Sequence, residues 1–214
     1  MYQGAAFGTW ADCRSGTGGT ATASPTVARG TVGSDNGVSA GLAYNNARAF
    51  LVFDLASNIP SGATITAATL STYIYALATG AGGSVGLVAS TQASSSNLTT
   101  SDYSAVGTTE FLTRVNVTSL STGAYKDWAL NASGVSHLVS HQADNAMLAF
   151  RTSFDLDNSA PGSGTNSYMG ISFSDQTGTS EDPYLTVTYT PPAGGRPPGR
   201  AFRDNSPAIR AAIL

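Results

Sequence analysis

Arg48-Ala49-Phe50-Leu51-Val52-Phe53-Asp54-Leu55, followed by Ile59-Pro60-Ser61-Gly62-Ala63-Thr64-Ile65-Thr66 and Ala67-Ala68-Thr69-Leu70, decides the fold. The first run is short and almost continuously apolar, and it reads as a buried strand. Pro60-Ser61-Gly62 reads as a tight turn, because proline presets its own φ and glycine accepts the left-handed region. A second long strand is then expected over 63–77. Strand, tight turn and long strand together predict an all-β sandwich.

Working outward, 214 residues suit one domain of ordinary size plus a tail, and such a domain buries about 70% of its unfolded surface. Only 11% of residues are charged, while Thr, Val, Tyr and Gly supply strands and turns. The net charge is −3, unevenly placed. Arg196, Arg200, Arg203 and Arg210 against Asp204 make residues 191–214 about +3, leaving about −6 for the body. A body of that sign offers no reason to bind nucleic acid, whose affinity comes from neutralised phosphates, so no such partner is expected. No apolar run approaches the ~20 residues that cross a bilayer, so no membrane partner is expected either. Cys13 is the single cysteine, which rules out an internal disulfide and favours a reducing compartment. Met1 to Gly8 lacks the basic and apolar regions of a secretory signal. Production in a cytoplasm is the expectation.

Alternation and turn punctuation predict strands over 5–14, 21–32, 38–43, 47–55, 63–77, 84–90, 110–118, 125–130, 146–152, 168–174 and 184–190. So many strands joined by long loops predict a jelly-roll β-sandwich of two antiparallel sheets, residues 1–190. One short helix is expected after Asn131 as N-cap, with Val135, Leu138 and Val139 as its apolar stripe. Thr190-Pro191-Pro192-Ala193-Gly194-Gly195-Arg196-Pro197-Pro198-Gly199 ends the domain, since proline supplies no ladder donor. Residues 191–214 are therefore a linker and a C-terminal docking segment. Ser206-Pro207 has a helix-start signature, N-cap then N1. A helix that short is unstable alone. Phe202, Ile209, Arg210, Ile213 and Leu214 are the residues expected to dock on a partner.

The strand–turn–strand unit resembles the DNRLRE (disaggregatase-related) domains, jelly-roll modules grouped with carbohydrate-binding modules. Arg48, Phe53, Asp54, Leu55, Ile59, Pro60, Gly62, Ala63, Ile65, Ala68, Thr69 and Leu70 carry the likeness. Pro183-Tyr184-Leu185-Thr186-Val187-Thr188-Tyr189 looks like that family's final strand. Leu130-Asn131-x-x-Gly134 and Leu148-x-x-Arg151 also fit, so the resemblance spans roughly residues 1–190. Free-standing Gly/Ala/Thr-rich sandwiches of this kind are similar to structural proteins of tailed bacteriophages. The resemblance thus implies a non-enzymatic virion protein, a capsid decoration or a head or tail appendage. Its partners would be other virion proteins and further copies of itself, and it would be assembled in the host cytoplasm. The alternative it implies is a carbohydrate-binding module for cell-surface or extracellular glycans.

Sugar rings stack on exposed aromatic faces, which nominates Tyr73, Tyr75 and Tyr103. Tyr73 and Tyr75 share one strand face, while Leu70, Thr72, Ile74 and Ala76 share the other. Trp10 and Trp128 read as core plugs. Asp155, Asp157 and Asn158 offer alternating oxygens of the type calcium takes six to eight at a time. Turn chemistry also accounts for them, so calcium stands as the alternative to no cofactor. His137 and His141 are spaced i, i+4, but zinc wants further ligands, and surface histidines are expected. The acidic residues are scattered singly and neither histidine neighbours a Gly-x-Ser-x-Gly elbow, so no catalytic residue is nominated. Arg48 and Asp54, of even spacing, are expected to form a structural ion pair.

Overall fold

The computed structural model describes residues 8–16, 28–37, 44–174 and 177–192, and the backbone of residues 2–3, 22–23 and 208–210. The strands are β1 (Tyr2–Gln3), β2 (Thr22–Ala23), β3 (Arg29–Asn36), β4 (Tyr44–Asp54), β5 (Thr64–Ala78), β6 (Ser84–Ser90) and β7 (Val106–Glu110). They continue with β8 (Val115–Asn116), β9 (Ala124–Ala129), β10 (Asn145–Thr152), β11 (Thr165–Ser172), β12 (Tyr184–Thr190) and β13 (Ala208–Arg210). Three short helices are interposed, α1 (Trp10–Ser15), α2 (Ala132–Ser140) and α3 (Ser153–Leu156). Every described pairing is antiparallel, along the path β13-β12-β5-β11-β3-β4-β10-β6-β7, with β1, β8 and β9 joined at β4, β6 and β5. The sheet curls into a half-barrel, and the all-β expectation holds at that level.

The deciding stretch behaves as its residues require. Asn46 to Phe53 of β4 are all buried. Ala49, Leu51 and Phe53 enter the main core with Leu70, Ile74, Leu87, Leu148, Phe150 and Trp128. Phe50, on the other side, joins Val88, Leu98, Tyr103 and Ala149. Each large side chain so buried contributes roughly 1.5–3 kcal/mol, which is why the run carries almost no polar residue. In the turn, the Ala63 amide donates to the Pro60 carbonyl at 3.0 Å and Gly62 adopts φ 80°.

β5 is the longest strand and changes partner along its length. Residues 64–71 pair with β12 and residues 74–78 with β11. A bulge opposite Gly170 and Ile171 leaves Tyr75 as the extra residue, so Ile171 faces Ile74 and Gly170 faces Ala76. Strict alternation placed Ala76 with Ile74, but the bulge reverses the phase and Leu77 packs on the core instead.

Several expectations need correction. The strand expected over 5–14 contains α1: Thr9 Oγ1 accepts from the Asp12 amide at 3.2 Å, and Gly16 ends the helix at φ 75°. Trp10 and Cys13, one turn apart, bury together. The strand expected over 110–118 divides: β7 ends at Glu110, the chain bends at the buried Phe111 and Leu112, and β8 takes up only Val115–Asn116. α2 forms with Asn131 Oδ1 accepting from the Gly134 amide at 3.0 Å, but Val139 is 48% exposed while Leu138 is buried. In the tail, Ala208–Arg210 is not helical: it is extended along β12, with Ile209 opposite Leu185. The free backbone groups of an edge strand hold three residues better than an isolated turn of helix holds itself. The expected strand at 38–43, the docking residues Phe202, Ile213 and Leu214, and the side chains of Ile209 and Arg210 lie outside the described residues.

Candidate ligand-binding face

Two polar clusters flank β4, and they differ in kind. The first is buried. Asp155 is 0% exposed and receives two bidentate guanidiniums. Arg48 donates from Nε and Nη2 at 2.7 Å each, and Arg151 from the same nitrogens at 2.8 Å each. Burial by itself would raise the Asp155 carboxyl, but the hydrogen bonds from Arg151 and Arg48 hold it well below the usual carboxylate range. Arg48 further donates through Nη1 to the Tyr103 carbonyl and through Nη2 to the Arg14 carbonyl at 2.9 Å. Arg151 Nη1 donates to the Gly107 carbonyl at 2.7 Å. The cluster ties β4, β10, α1, α3 and the 100–107 segment together.

This cluster overturns two expectations. Arg48 pairs with Asp155, 107 residues away, and not with Asp54. Asp54 instead accepts from the Ser57 amide at 3.0 Å, organising the turn. Tyr103, expected as an exposed platform, is 1% exposed. The Arg48 guanidinium lies 3.9 Å from its ring centroid, and Asn46 Nδ2 donates to its hydroxyl at 2.6 Å. No sugar reaches that ring face. One local signal for the cluster was present: Arg151 and Asp155 are four apart across a strand end that Thr152 converts to α3 by accepting from the Asp155 amide. Cys13 lies beside it, buried, and burial pushes its thiol up to about 12, which suits packing rather than reactivity.

The calcium candidates are otherwise engaged. Asp155 is held as above, and Asp157 takes two hydrogen bonds from Arg114, at 2.6 and 2.7 Å. Arg114 also bridges to Glu110. Asn158 adopts φ 52°, a left-handed position that Asn tolerates, and serves as the turn after α3. Among the described residues no three His, Cys, Asp or Glu side chains group as a metal site. His137 is half-buried rather than fully on the surface, stacked 4.9 Å from Phe111 and 4.5 Å from His141. Burial, then the neighbouring His141, lowers its pKa. Trp10 and Trp128 are core plugs as expected, 8% and 2% exposed.

The second cluster faces outward, on the side of β3 and β11 turned away from Val32, Met169 and Ile171. Register sets Asp35 directly between Asn45 on β4 and Asn166 on β11. The next row is Ala47, Gly33 and Tyr168. Together with Thr31 these residues line a groove of about 240 Å³. Gly33 makes it deep, since a Cβ there would stand 2.5 Å from the Tyr168 Cβ. Two polar atoms of lining residues, Asn45 Oδ1 and Ser167 Oγ, are buried without a hydrogen-bond partner. None of the described lining residues is basic.

Beyond the groove the same side of the sheet is rich in tyrosine. Tyr75 lies over Gly170, where a Cβ would meet its ring at 2.8 Å, and Arg29 stands 4.9 Å from its centroid. Tyr73 meets Tyr125 edge-on at 5.5 Å, and Tyr125 meets Tyr184 at 5.3 Å. Tyr73 and Tyr75 are therefore where the sequence put them, both half-exposed. Residue chemistry did not single out Asp35, Asn45, Asn166 and Tyr168 as a set. Only the register of three strands assembles them. No protein-family model matches the chain and no curated protein matches it, so local geometry carries the functional argument.

Proposed function

We propose that this chain is a non-enzymatic structural protein of a tailed-bacteriophage virion, a capsid decoration or a head or tail appendage. Its half-barrel would be the body of a two-sheet jelly roll, and its contacts would be multivalent ones to itself and to other virion proteins. The observation that supports this reading is the β12 edge. It takes up Ala208–Arg210 from the far end of a Pro/Gly-rich linker, which is strand addition by backbone hydrogen bonds. Exchange of this strand between neighbouring copies on a symmetric lattice, each tail pairing with the next copy's β12, would bring many weak contacts into register. The likeness of the Arg48–Leu70 unit to jelly-roll modules supports the same reading. Removing residues 191–214 should leave a folded body that no longer enters particles; incorporation at the full-length level would end the proposal.

A second reading, glycan binding, is favoured by a different observation. Tyr73, Tyr75, Tyr125, Tyr168 and Tyr184 share one side of the sheet, beside the polar groove. Aromatic faces beside hydroxyl-binding side chains are the combination that sugar rings need. Saturable binding to immobilised glycans, absent for a pure scaffold, separates the two.

A further inference from the structure

We infer that the groove across β11, β3 and β4 is a subsite for an uncharged, polyhydroxylated ring, the non-ionic sugar unit of a glycan. This inference rests on the glycan-binding reading and assigns it a place.

Adjacent strands are about 4.8 Å apart, so the row Asn45, Asp35, Asn166 spans about 10 Å, the reach of one ring with its substituents. A carboxylate between two carboxamides presents acceptors and donors side by side. Vicinal hydroxyls, each both donor and acceptor, match that alternation. Tyr168 walls the groove one row further on, and Gly33 with Ala47 forms a floor without bulk. The groove holds about 240 Å³, below the ~300–1,000 Å³ of pockets that enclose larger ligands.

Asn45 Oδ1 adds direction to the argument. It is buried and unpartnered, so its desolvation is already accepted in the free protein. Turning the Asn45 carboxamide outward to a ligand hydroxyl would exchange an unsatisfied buried acceptor for a satisfied one. The charge pattern selects against acidic sugars and phosphates: Asp35 lines the groove and none of the described lining residues is basic. A divalent cation is a poor match, because Asp35 is the one carboxylate among the described lining residues and calcium takes six to eight oxygens.

The test is a glycan array bearing neutral hexose oligosaccharides alongside sialylated and uronate-containing ones, probed with the full chain and three variants. Calorimetry with the best neutral oligosaccharide, and separately with calcium chloride alone, follows. The wild type should bind neutral glycans and not acidic ones, and Asp35→Asn and Asn45→Ala should each weaken binding at least tenfold with melting temperatures close to wild type. Tyr125→Ala, on the tyrosine stripe outside the groove, reports on the rival location for the ring. Neutral-glycan binding that survives both groove variants but falls with Tyr125→Ala overturns the subsite and leaves the glycan reading standing. No saturable glycan binding at all overturns that reading and this inference together. Preference for acidic glycans, or heat from calcium alone that Asp35→Asn abolishes, overturns the inference.

Discussion

Asp155 and Asp35 are both carboxylates set among polar partners on neighbouring strands, yet one belongs to the fold and the other to the surface. Asp155 is saturated: four charge-assisted hydrogen bonds from Arg48 and Arg151 fill its oxygens, and water never reaches it. The Asp35 row lies at the mouth of a groove, with an amide oxygen left buried and unpaired beside it. A buried polar group that is fully satisfied rigidifies a structure, whereas one left short of partners costs stability and persists where something else can complete it. The contrast separates architecture from candidate function in a molecule where composition alone separates neither.

The contrast breaks most readily at its strong end. Asp155→Ala would strand two buried guanidiniums, and losing one partner of such a pair typically costs about 3–5 kcal/mol. Urea unfolding should show that loss as a lower midpoint, and a drop below about 1 kcal/mol would mean the cluster is not structural. Next in size is Gly33→Ala. Its new Cβ would press on the Tyr168 Cβ and the Ser167 carbonyl, at 2.5 and 3.1 Å before relaxation, for an overpacking loss of about 1–3 kcal/mol. The same variant should shrink the groove, visible in a crystal structure as a displaced Tyr168.

Acid provides a graded version. The folded pKa of His137 is lowered, so its contribution is full above the unfolded value of about 6.5 and fades as pH falls below it. The Asp155 carboxyl is also depressed, so its contribution is full above about 3.9 and is lost on further acidification. Thermal melts against pH should therefore show a shallow decline beginning near pH 6.5 and a steep one below about pH 4. His137→Gln should remove the first. The smallest expected effect has the opposite sign. Asn45→Ala deletes an unsatisfied buried oxygen and should leave stability unchanged or raise it by about 0.5–1 kcal/mol. A clear destabilisation there would erase the distinction between the two clusters.

Much of the fold was legible. β4, β5, β6, β9, β10 and β12 follow from alternation, and Asn131 marks the start of α2 from its capping chemistry alone. α1 was missed although its cap, Thr9 on Asp12, is local, but the misreadings of Tyr103, Ala208–Arg210 and Ala76 turned on partners distant in sequence. Tyr103 looks like a surface tyrosine until Arg48 and Asn46 are seen beside it. Ala208–Arg210 carries a helix-start signature that the β12 edge outcompetes. The phase of Ala76 was lost at a bulge whose reason lies in β11. Of the outward face, Tyr73 and Tyr75 were readable from their even spacing. The Asn45–Asp35–Asn166 row was not, because those residues come from three strands and no motif links them.

By itself the amino-acid order determined that this chain is a β-protein, because apolar alternation, glycine turns and a proline stop are local properties of the backbone and its nearest side chains. It also determined that the 49–53 run is a buried strand, since no polar residue interrupts Ala49 to Phe53. Tertiary structure alone decided which polar side chains are satisfied and which are not. Hydrogen-bond saturation is a property of neighbours in space, and here those neighbours are brought together by strand register, not by sequence.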